Sequence, residues 1–62
     1  MMTERELRLC VEGTLSEAMH NIASVRYASS AASILALIEK VEGELASARK
    51  YAEELAKVAK DI

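Results

Sequence analysis

The chain has 62 residues, with eight Lys and Arg against ten Asp and Glu for a formal net charge of −2, and 52% hydrophobic residues with no Phe, Trp or Pro. That length allows one small domain that covers only about 60% of its unfolded surface, and a single cysteine, Cys10, excludes an internal disulfide. The near-balanced charge lacks the basic face that a nucleic-acid binder presents.

The first element begins at a capping signal. Thr3 and Glu6 form a Thr-x-x-Glu box, in which two orphan backbone donors of a helix start are satisfied reciprocally. Beyond it Leu7, Val11, Leu15, Ala18, Ile22 and Val25 follow the three-four alternation of a helix stripe. This predicts a first helix over about 3–28.

The middle of the chain is poor in charge. Residues 14 to 38 hold only Glu17 and Arg26, whereas residues 39 to 62 hold eleven charged side chains. Within that stretch lies RYASSAASILAL, residues 26 to 37. A membrane-spanning helix needs about 20 consecutive apolar residues, and Arg26, His20, Asn21 and the Glu39-Lys40 pair interrupt any such run. The start MMTERELR is of mixed charge, unlike the basic lead of a secretory signal, so the expected location is cytoplasmic. There an unpaired cysteine stays reduced.

A second stripe runs through Ile34, Ile38, Val41, Leu45, Ala48, Ala52, Leu55, Ala59 and Ile62. On one continuous helix it would sit about a third of a turn from the first, which places a break between Ala28 and Ser33. A second helix is predicted over about 33–61, with Ser30 or Ser33 as its cap. An internal repeat supports that division: VEGTLSEA at 11–18 aligns with VEGELASA at 41–48, and Leu7 then falls on Leu37. The fold class is therefore all-α, a helical hairpin that assembles into a multi-helix bundle. Gly13 and Gly43 support an alternative of three helices at 4–12, 15–42 and 44–61, because glycine costs about 1 kcal/mol inside a helix. Both stripes pass through their glycines without losing phase, which favours two.

Chemistry is sparse. No catalytic residues, metal ligands or cofactor site are identified: Cys10 and His20 alone make no zinc site, and no phosphate loop or acid/base pair is present. Cys10 borders the apolar stripe, where a thiol is ordinarily buried and inert. The expected function is a small non-enzymatic interaction module of adaptor, co-chaperone or inhibitor type. It would bind itself as a homo-oligomer, or the helix of another protein. Its expected interface is Ile34, Leu35, Leu37, Ile38, Val41, Leu45 and Leu55, because an apolar run such as ILALI at 34–38 exceeds what one neighbouring helix covers. An alternative places a small molecule, for instance a nucleotide, at a subunit interface against His20, Asn21, Ser24, Arg26 and Tyr27, three of which fall on one helical face. A nucleic-acid-binding regulator is the least favoured class, and no membrane partner is expected.

Overall fold

In a computed structural model, which describes residues 2–58, helix α1 spans Glu4–Ser24 and helix α2 spans Ala31–Val58. A single 3-10 turn, Val25–Tyr27, follows α1 directly, and Ala28, Ser29 and Ser30 complete the reversal. The two helices pack against each other as a hairpin. Gly13 and Gly43 lie inside unbroken helices, so the three-helix alternative is not adopted. The repeat's expectation of two similar helices joined near residue 30 holds.

The ends form as their residues dictate. Thr3 Oγ1 accepts from the Glu6 backbone N–H at 3.2 Å, and Glu6 Oε1 accepts from the Thr3 N–H at 2.8 Å. These bonds, the backbone one first, hold the Glu6 carboxyl below the ordinary glutamate range. A carboxyl lowered in the folded state stabilises the folded state above its unfolded value of about 4.3 and loses that contribution as pH falls through the lower folded value. Fraying of the first turn is therefore expected on acidification below that range. Amide exchange at Leu7 and Arg8 checks it, and unchanged protection at low pH would count against the box. At α2, Ser30 Oγ accepts from the Ser33 N–H at 3.2 Å and the Ser30 carbonyl from the Ile34 N–H at 3.1 Å, so Ser30 is the cap and Ser33 belongs to the helix.

The seam between the helices differs from the stripes by one residue at alternate steps. Along α1 and into the 3-10 turn the seam positions are Leu7, Val11, Thr14, Ala18, Asn21 and Val25, while Leu15 and Ile22 stay exposed. On α2 they are Ile34, Leu37, Val41, Glu44, Ala48, Tyr51 and Leu55, while Ile38, Leu45 and Ala52 stay exposed. This is a heptad seam in which Thr14, Asn21, Glu44 and Tyr51 are the polar residues. Asn21 Nδ2 donates to both carboxylate oxygens of Glu44, each at 2.9 Å, and so fixes the register. One heptad towards the open end, that register sets Thr14 beside Tyr51, and the next sets Leu7 beside Val58. The intervening layers pair Ala18 with Ala48 and Val11 with Leu55.

Only Leu7, Ala18 and Ala48 are buried among the described residues. The radius of gyration is 14.3 Å and the extents are 45 × 19 × 14 Å, against about 10.6 Å for a globular chain of this length. The molecule is a two-helix rod without a thick core.

Among the described residues, surface ion pairs are few. Arg8–Glu4 at 3.4 Å and Arg49–Glu53 at 3.6 Å join successive turns, and Lys57 reaches Glu54 at 3.7 Å. All are exposed and contribute a few tenths of a kcal/mol each. The expected end of α2 at 61, with Ala59 and Ile62 of its stripe, lies outside the described residues.

Candidate functional site

An antiparallel hairpin has two broad faces, one on each side of its seam. Side chains that follow Thr14, Asn21, Leu37 and Glu44 by one residue lie on the first face; these are Leu15, Ile22, Ile38 and Leu45. Met19 extends the face along α1 and Leu35 along α2, at helical spacings of three and four residues. All six are exposed, from 40% at Leu15 to 69% at Met19. A shallow groove of ≈ 460 Å³ between Val11, Leu15 and Leu55 continues the face towards Arg8.

Side chains that precede Val11, Ala18, Val41, Ala48 and Leu55 lie on the second face: Cys10, Glu17, Lys40, Ser47 and Glu54. It is polar. A groove of ≈ 650 Å³ open to solvent runs between Glu17 and Lys40, with Asn21, Glu44, Ser47 and Tyr51 in its walls. Gly13 and Gly43 border the same groove.

A Cβ added at either glycine meets no heavy atom within 4 Å, so packing within the hairpin does not require them. Gly13→Ala and Gly43→Ala are each expected to raise stability by about 0.5–1 kcal/mol, through lower chain entropy when unfolded. Thermal unfolding of the single and double variants checks this; lower midpoints would show a hidden packing role.

The expected interface residues divide between seam and surface. Ile34, Leu37, Val41 and Leu55 are half-buried in the hairpin's own seam, whereas Leu35, Ile38 and Leu45 are exposed on the apolar face. Leu15, Met19 and Ile22 were missed as candidates, because a stripe read from sequence does not distinguish its two edges. The signal available was the polarity of Thr14 and Asn21, which alternate with Leu15 and Ile22 and mark where an apolar side chain is not needed inside.

The polar set does not converge on one pocket. Asn21 turns across the seam to Glu44, Ser24 Oγ donates to the His20 carbonyl at 3.0 Å, and His20 and Arg26 are exposed. Tyr27 is 80% exposed on the 3-10 turn. Cys10 is a half-buried free thiol, and its carbonyl accepts from Thr14 Oγ1 at 2.6 Å. Among the described residues no cluster of three or more His, Cys, Asp or Glu could hold a metal ion, and no helix is long and apolar enough to cross a membrane.

Against protein-family models, curated proteins and solved structures, the chain finds no match.

Proposed function

We propose that this protein is a small, non-enzymatic helical interaction module of the cytoplasm that works by laying its apolar face against another helical surface. The observation that carries this reading is the sidedness of the hairpin. Of the ten large apolar side chains exposed among the described residues, six lie together on one face, and the other face carries Glu17, Lys40, Ser47 and Glu54 beside the Cys10 thiol.

The physical reason lies in each helix's apolar arc. In both helices the arc is centred between the seam and the first face, so pairing the helices with each other satisfies only half of it. Apolar surface gains about 25 cal/mol for each Å² removed from water, and that gain remains available to a docked helix. Residues on such a surface are read as spacings of three, four and seven, which Leu15, Met19 and Ile22 supply on α1 and Leu35, Ile38 and Leu45 on α2. A lone half-buried thiol is suited to a reducing compartment.

The test compares Ile22→Lys combined with Leu45→Lys against Ser47→Lys on the polar face. Association with helical partners and with an apolar dye is expected to disappear in the first and persist in the second. Equal behaviour of the two would overturn the reading.

A further inference from the structure

We infer that the occupant of the apolar face is a second copy of this chain, packed face to face with its turn at the opposite end, in a closed four-helix dimer. The inference rests on the interaction reading above and names its partner.

Area comes first. The chain exposes 4981 Å² at a mass of 6.8 kDa, where a globular monomer of that mass exposes about 3,950 Å². The surplus of roughly 1,000 Å² compares with the ~800 Å² that each partner buries in a standard stable interface. With only Leu7, Ala18 and Ala48 buried among the described residues, a second layer supplies the core that the first lacks.

The face is also self-complementary. A two-fold axis perpendicular to the helices, crossing α1 at Met19 and α2 between Leu45 and Ala46, turns each helix over onto its own copy. Both crossing points lie at one level, because the Asn21–Glu44 register sets Met19 beside Ala46. That axis places Glu12 opposite Arg26 of the partner subunit and Glu42 opposite Arg49 of the partner subunit, so both edges pair acid with base. It sets Leu15 against the partner's Ile22. It also lays Ile38 over the partner's Ala52 and Leu35 over the partner's Ala56, a large side chain on a small one in each case. Since the second face is polar, association stops at two copies, as an isologous interface requires.

Sedimentation equilibrium at micromolar concentration is expected to give twice 6.8 kDa, with an unfolding midpoint that rises with protein concentration. In a Cys10→Ser background, Leu45→Cys lies beside the axis and is expected to cross-link to its own copy on oxidation with helicity retained. Ser47→Cys, on the polar face, is not. A dimer cross-linked through the Ser47→Cys variant and not the Leu45→Cys variant would place the contact elsewhere and overturn the inference, as would a mass above two copies. A wild-type mass of one chain with a concentration-independent midpoint also overturns it. In that event, dye binding lost on Ile22→Lys with Leu45→Lys would leave the interaction reading standing, with a different protein as partner. Dye binding unaffected by those changes would remove both.

Discussion

Leu7→Ala is expected to lower stability by about 2–5 kcal/mol, the range for truncating a buried leucine that leaves a cavity. Leu7 is 3% exposed, and the other two buried residues are alanines, so among the described residues it is the one large side chain that the hairpin buries by itself. Its place explains the size of the effect. It lies at the open end of the hairpin, where it lines a space of ≈ 250 Å³ together with Met2, Tyr51 and Val58. A domain of this length holds roughly 3–9 kcal/mol in total, so the change removes a large share of it. Circular dichroism should show a midpoint lower by at least about 8 °C. A shift of only a degree or two would mean that Leu7 is not a structural anchor.

Ala48→Leu is expected to cost about 1–3 kcal/mol, for the opposite reason of overpacking. Ala18 and Ala48 are 2% and 5% exposed and meet in one layer, where two methyl side chains set how closely the helices approach. A leucine there forces them apart one layer from the Asn21–Glu44 bonds, whose 2.9 Å lengths depend on that approach. Ala46→Leu on the exposed surface of the same helix is the control and should stay within about 0.5 kcal/mol. Urea unfolding at unchanged slope distinguishes the two, since the slope reports surface exposed and the midpoint reports stability. Equal midpoints for both variants would refute the close approach.

The repeat links these positions. Ala18 and Ala48 are its matched alanines, and both are buried; its leucines Leu15 and Leu45 are both exposed, and its valines Val11 and Val41 are both half-buried. These matched residues have matched environments in the two helices, whereas Leu7 is buried and its counterpart Leu37 is only half-buried. Similar local sequence produces the same face geometry in each, and the hairpin brings the two copies of that face to one side.

Two helices, the Thr3 cap and the break between Ala28 and Ser33 were legible in the sequence, whereas the choice of Ser30 over Ser33 as the second cap came from the structure. These are local properties: an alanine-rich mixture forms helix, Thr3 with Glu6 and then Ser30 satisfy the orphan donors at each start, and the stripe changes phase where the chain turns. Tertiary structure alone decided which edge of each stripe turns inward. A three-four alternation through Leu15 and Ile22 fits a helix as well as one through Thr14 and Asn21, and intrinsic propensity does not distinguish them. The choice follows from pairing. Only one register lets Asn21 reach Glu44 across the seam, puts Ala18 against Ala48 and closes Leu7 at the open end. That register spends Thr14, Asn21, Glu44 and Tyr51 inside and leaves Leu15, Ile22, Ile38 and Leu45 outside.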